Sequence, residues 1–96
     1  MRLIKKSNVL QNAQEYPKDI YRSVEIWCSI VEQSQWTSLD DIRKTYKRSV
    51  DQVGNYLVFN IKDYRLIVTV NFKAKIIWYK YLLNHKEYEK GNWKNG

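Results

Sequence analysis

The hydrophobic pattern changes period halfway along the chain, and that change restricts the fold more than any single residue does. Up to about residue 46, apolar side chains recur at intervals of three and four. From Tyr56 onward they alternate or run together. The first spacing matches a helix face and the second a strand. Helices followed by strands imply an α+β fold, with N-terminal helices packed on a small antiparallel β-sheet. A length of 96 residues leaves room for one core, so residues 1–96 read as a single domain.

In the first half, residues 1–4 suffice for one strand. Val9, Ala13 and Tyr16 then share a helix face over residues 5–16, and Pro17 ends that helix. A second helix follows over 18–33, with Ile20, Val24, Trp27 and Val31 facing the core and Cys28 and Ile30 widening that face. Asp19 suits its first turn, where the dipole favours an anion. Cys28, in mid-face, reads as buried and inert rather than as a nucleophile. Ser38 and Asp41 approximate a capping box that opens a short helix over 39–46.

In the second half, residues 56–61, 64–72 and 76–83 are rich in β-branched and aromatic side chains. Gly54-Asn55 marks a turn before them. Lys62-Asp63 and Lys73-Ala74-Lys75 are short connections, which imply an antiparallel meander. On the middle strand Leu66, Val68, Val70 and Phe72 share an apolar face, expected to meet the helices. Arg65, Ile67, Thr69 and Asn71 take the other face. Strict alternation on the last strand puts Tyr79 and Tyr81 side by side. Residues 84–94 read as a helical turn ended by Gly91.

Composition closes several routes. Three glycines and one proline are too few for a disordered chain or a phosphate-binding glycine loop. One cysteine and one histidine exclude an internal disulfide and a Cys/His metal site, so no cofactor and no metal is expected. No apolar run approaches the roughly 20 residues of a membrane span, and residues 1–6 do not open a signal peptide. The expected location is therefore the cytoplasm, with no membrane partner. Asp40-Asp41 could serve as paired carboxylates, but helix capping accounts for them.

The formal charge is +7, from 17 basic and 10 acidic residues. Nucleic acid, ribosome, an acidic protein or an anionic surface would all suit it, as would solubility alone. In the strand half the cations Lys62, Arg65, Lys73, Lys75 and Lys80 are interleaved with Trp78, Tyr79 and Tyr81; Lys86, Tyr88, Lys90, Trp93 and Lys94 continue the pattern. Rings that stack on bases and cations that hold phosphates make an RNA surface, although strand aromatics serve equally as core. His85 is the only imidazole. RNA can be cut through its own 2′-hydroxyl, which needs a base, an acid and a cation on the phosphate, and no protein nucleophile. His85 can be one proton carrier, a Lys or Tyr the other, and Arg65 the phosphate clamp.

At Tyr56-Leu-Val-Phe-Asn-Ile61, Tyr64-Arg-Leu-Ile-Val68 and Asn84-His-Lys-Glu-Tyr88 the chain resembles the HigB toxins of the RelE/ParE superfamily, which belong to type II toxin–antitoxin systems. Tyr16-Pro17, Trp36, Asp41-Ile42 and residues 49–55 extend the resemblance. It implies a RelE-like fold and a bacterial, metal-independent mRNA interferase that cuts message on the ribosome. It also implies a HigA-like antitoxin with a helix-turn-helix domain, and contact with operator DNA only through the antitoxin complex. Carried over, the catalytic residues are Arg65, of the Tyr-Arg pair, and His85 and Tyr88, of the His-x-x-Tyr segment. Lys73, Lys75, Tyr79 and Lys86 are the RNA-binding candidates. Two departures stand out: Lys62-Asp63 replaces a glycine-containing turn, and Asn84 and Glu89 replace Thr and Asp. Two other functions stay open, a non-catalytic RNA- or ribosome-binding module and a gyrase-directed toxin of the ParE kind.

Overall fold

Helix ends in this chain follow from local chemistry. A computed structural model describes residues 1–95, so Gly96, the last residue of the expected domain, lies outside it. The elements run β1 (Arg2–Ile4), α1 (Lys6–Ala13), α2 (Lys18–Gln33) and α3 (Leu39–Tyr46), then a 3-10 turn (Lys47–Ser49). They continue through β2 (Val50–Val53), β3 (Tyr56–Ile61), β4 (Tyr64–Asn71), β5 (Ile76–Asn84), α4 (His85–Lys90) and a closing 3-10 turn (Asn92–Asn95). α2 and α3 have the expected bounds. α1 stops at Ala13, three residues short of expectation; the Glu15 and Tyr16 amides donate to the Asn12 and Ala13 carbonyls at 3.2 and 3.1 Å, so tighter turns carry the chain from there to Pro17. Ser38 Oγ accepts from the Asp41 amide at 3.3 Å, while the Asp41 carboxylate reaches back to the Thr37 amide at 2.9 Å. The Thr37 hydroxyl also donates to it. These two donors and the Lys44 ammonium hold the Asp41 carboxyl down at about 2.

The sheet has five strands in the order β1-β5-β4-β3-β2. The meander of β3, β4 and β5 is as expected, and β2 joins it through the Gly54-Asn55 turn, with Val53 opposite Tyr56. Gly54 takes φ +59 there, which glycine adopts freely. The expectation of a purely antiparallel sheet needs correcting. β1 lies parallel to β5, Arg2 opposite Ile76, so the sheet is mixed. Parallel neighbours need a long crossover, and the helices between β1 and the meander supply it.

One bulge redistributes the side chains of β5. Ile67 pairs with Tyr81 and Val68 with Tyr79, which leaves Lys80 unmatched. An extra residue on one strand reverses the facing of everything beyond it. Tyr79 therefore joins the helix side and Tyr81 the other, against the expectation that both share a face.

The helix-covered face is the main core. Leu57, Phe59, Leu66, Val68, Ile77 and Leu82 meet Val9, Val24, Trp27 and Val31 there. Trp27 and Tyr46 both set their rings edge-on to Phe59, at 5.4 and 5.1 Å between centroids. Cys28 is buried among them, and burial pushes its thiol up to about 11, which suits an inert role. The opposite face has a smaller cluster, Val58, Ile67 and Trp93, with Tyr56, Tyr81, Leu83 and Tyr88 partly covered around it. Among the described residues no helix is long and apolar enough to cross a membrane.

Candidate active site

Arg65 leaves β4 on the face opposite the helices, across from Asn60 on β3 and Leu83 on β5. The turn before it lacks glycine but keeps two-residue geometry, because Lys62 adopts φ +54 and Ile61 still pairs with Tyr64. Register is thus preserved at a backbone cost. Arg65 Nη1 donates to the carbonyls of Lys62 and Tyr64, each at 3.0 Å. That anchors one end of the guanidinium and aims the other end at His85.

His85 is placed by a helix cap. Asn84 ends β5 opposite Tyr64 and also caps α4. Its side chain accepts from the Glu87 amide at 2.8 Å, and its own amide donates to the Glu87 carboxylate at 3.5 Å. The pattern Asn-x-x-Glu is a capping box, readable in the sequence though not among its expected features. It makes His85 the first helical residue. Arg65 Nη2 then lies 3.3 Å from His85 Nδ1. His85 Nε2 lies 2.9 Å from the Glu89 carboxylate, one turn along α4. A guanidinium only donates, so Nδ1 accepts; Nε2 then carries the hydrogen and donates it to Glu89.

Tyr88, three residues beyond His85, completes the group. The Arg65 Cζ sits 5.7 Å from its ring centroid. Trp93 stacks on the same ring at 5.3 Å with 15° between planes. Trp93 is 4% exposed, donates from its indole to the Tyr88 carbonyl at 3.0 Å, and meets Tyr56 edge-on at 5.4 Å. One indole thereby fastens α4 and the closing turn to the sheet. A base stacking on Tyr88 would have to displace Trp93 or Arg65, so the hydroxyl is the reactive part left to it.

Two clefts open on this face. One, of about 350 Å³, is lined by Tyr81, Leu83, Glu87, Lys90 and Trp93. The other, of about 530 Å³, is lined by Tyr56, Thr69, Lys80 and Lys94. Lys80, the bulge residue, supplies a cation there. Among the described residues no three His, Cys, Asp or Glu side chains converge as a metal would require.

The structure brings Arg65, His85 and Tyr88 together and leaves Lys86 exposed on α4 beside them. The remaining RNA-binding candidates lie elsewhere. Tyr79 is 3% exposed on the helix side and its hydroxyl accepts from Asn12 at 2.6 Å, which corrects its expected role as a stacking surface. Lys73 and Lys75 occupy the far turn of the β4–β5 hairpin, beyond Asn71, which is itself about 20 Å from Arg65 at 3.3 Å per strand residue. Lys75 is further committed by a 3.1 Å bond to the Trp36 carbonyl. Lys80, Trp93 and Lys94 belonged to the expected basic and aromatic pattern but not to the named site residues, and Glu89 was noted only as a departure from the motif. The four-residue spacing from His85 to Glu89 was the signal for Glu89; nothing local announces the bulge that presents Lys80.

A family model described as HigB_toxin, RelE-like toxic component of a toxin-antitoxin system, matches residues 21–91. The match runs from α2 through α4 and includes Arg65, His85 and Tyr88. No curated protein matches the chain.

Proposed function

The chain belongs to the HigB toxin family, and on that premise we propose that it is a ribosome-dependent endoribonuclease that cuts message and so inhibits translation. Membership makes it a RelE-like toxic component and implies an antitoxin partner. We take that partner to be of the HigA type, with operator DNA reached only through the complex, and the site of action to be the cytoplasm.

The observation that carries the reading is the convergence of Arg65, His85 and Tyr88 on the open face, with the guanidinium against both rings. In the reaction, the 2′-hydroxyl loses a proton and attacks the adjacent phosphorus. The bond to the 5′-oxygen breaks, and that oxygen takes up a proton. The products are a 2′,3′-cyclic phosphate and a 5′-hydroxyl end. Arg65 stabilises the charge that builds on the phosphoryl oxygens, a contribution worth about 10²–10³ in rate where it has been measured for comparable donors. On binding a phosphate, Arg65 exchanges its contact with His85 Nδ1 for the phosphate oxygens. Nδ1 is then free to accept a proton, while Glu89 keeps the ring oriented through Nε2. The Tyr88 hydroxyl is the second proton carrier. The cations Lys80, Lys86, Lys90 and Lys94 draw the RNA backbone to this face, and the ribosome holds the message in line for attack.

Primer extension on a defined message, incubated with purified protein with and without programmed ribosomes, tests this. Cuts that require ribosomes are expected. Cuts without ribosomes would make it a free ribonuclease. No cuts from folded, antitoxin-free protein would overturn the reading in favour of non-catalytic binding or gyrase poisoning.

A further inference from the structure

Ile26 is the one large apolar side chain left exposed among the described residues, at 52%. It lies on α2, where it lines a groove of about 290 Å³ with Trp27, Ile30, Tyr46, Ser49 and Lys62. Two polar atoms of the groove residues, Trp27 Nε1 and Tyr46 Oη, are buried without a hydrogen-bond partner. Folded proteins rarely leave such groups unpaired. Burial pushes the Tyr46 hydroxyl up to about 12, so it stays a neutral donor. The groove shares no lining residue with the two clefts of the catalytic face.

Beyond Tyr46 and Ser49 the surface turns basic. Lys47 and Arg48 lie between those two residues in the chain, and with Arg43 they line an adjoining cleft of about 490 Å³. None of the three has an ion-pair partner among the described residues. Asp51, in the same cleft, is held by the Asn60 amide at 3.2 Å. At the other end Lys62 is already paired with Asp19 at 2.7 Å. Lys47 also holds φ +52, a backbone that favours glycine, so a lysine is kept there at some cost.

We propose that this groove and its basic flank are the docking surface for the antitoxin, engaged by an acidic amphipathic segment. Its apolar side chain seats against Ile26 and Ile30, and its carboxylates lie along Arg43, Lys47 and Arg48. RNA would use the flank but would gain nothing from the apolar groove, which is why a protein segment fits better. The inference rests on the toxin reading only through the existence of an antitoxin.

The test is calorimetric titration of the antitoxin encoded in the same operon against toxin freed from it by unfolding and refolding. Ile26→Glu is expected to weaken binding by about thirtyfold or more, as for a central apolar anchor. The pair Arg43→Glu and Arg48→Glu is expected to weaken it about tenfold at low salt and less at high salt. Both variants should keep the wild-type melting temperature, because the side chains are exposed. Wild-type affinity in both variants overturns the docking surface and leaves the toxin reading intact. No binding by the wild-type chain overturns the antitoxin reading itself and the surface with it. Unchanged antitoxin affinity with lost ribosome co-sedimentation assigns the flank to RNA, and also overturns the proposal.

Discussion

The two faces of the sheet are built from alternate residues of the same strands, yet they do different work. Beneath the helices, Leu57, Phe59, Leu66, Val68 and Ile77 are closed in by α1, α2 and α3. On the other side only Val58, Ile67 and Trp93 are buried among the described residues, and α4 with the closing turn covers just part of the strands. Arg65 and Ile67 are two residues apart on β4, and one is at the reactive surface while the other is fully buried. Stability is concentrated on one face, which frees the other to expose cations and an imidazole. Substitutions on the two faces should therefore separate folding from chemistry.

The largest separation is expected at Trp27 and Trp93. Trp27→Ala opens a cavity against Phe59 and should cost about 3–5 kcal/mol, much of the total stability of a small domain. Thermal or denaturant melting reads this as a lower midpoint for the whole chain. Trp93→Ala should spare the main core, with a midpoint shift under half as large. It should release α4, so proteolysis at residues 85–95 speeds up and message cleavage falls together with it. Equal midpoint shifts for the two variants would break the comparison.

Glu89 gives a smaller effect confined to chemistry. Glu89→Gln keeps the shape and can still accept from His85 Nε2, but it removes the charge that favours this orientation. Cleavage should fall roughly tenfold, while the melting midpoint stays in place and the pH–rate profile moves. An unchanged profile would reduce Glu89 to a surface residue.

The smallest effect concerns Asp41, on the helix side. Its folded-state carboxyl lies at about 2, below the ordinary value near 3.9 of an unfolded chain. A depressed carboxyl contributes stability above the unfolded value and loses it as pH falls through the folded one. Stability should therefore decline between about pH 4 and pH 2, and Asp41→Asn should flatten that decline. Cleavage at neutral pH should not change.

How much of this could be read beforehand depended on the range of the interaction. The α2 and α3 periods, the capping residues of α3 and the meander are local, and the expectations for them held. The sequence also separated Leu66 and Val68 from Arg65 and Ile67 correctly, since β4 carries no extra residue. Long-range features were hidden. Nothing in Arg2-Leu3-Ile4 indicates a parallel partner, and the bulge at Lys80 exists only as a mismatch between two strands. That one residue explains why Tyr79 was placed on the wrong face. Arg65 and His85 were singled out by their chemistry, and the family resemblance grouped them with Tyr88. Their contact needed the Lys62 turn and the Asn84 cap, which only the structure displays.

The central claim is that Arg65 and His85 perform chemistry on the face that contributes less to the fold. Single-turnover cleavage of message on programmed ribosomes, run on Arg65→Ala and His85→Ala beside thermal melts, tests it most directly. Each variant should cleave at least about 10²-fold more slowly, with a melting midpoint matching that of the wild type. Full cleavage by both variants, or a loss of cleavage matched by a loss of folding, would contradict it.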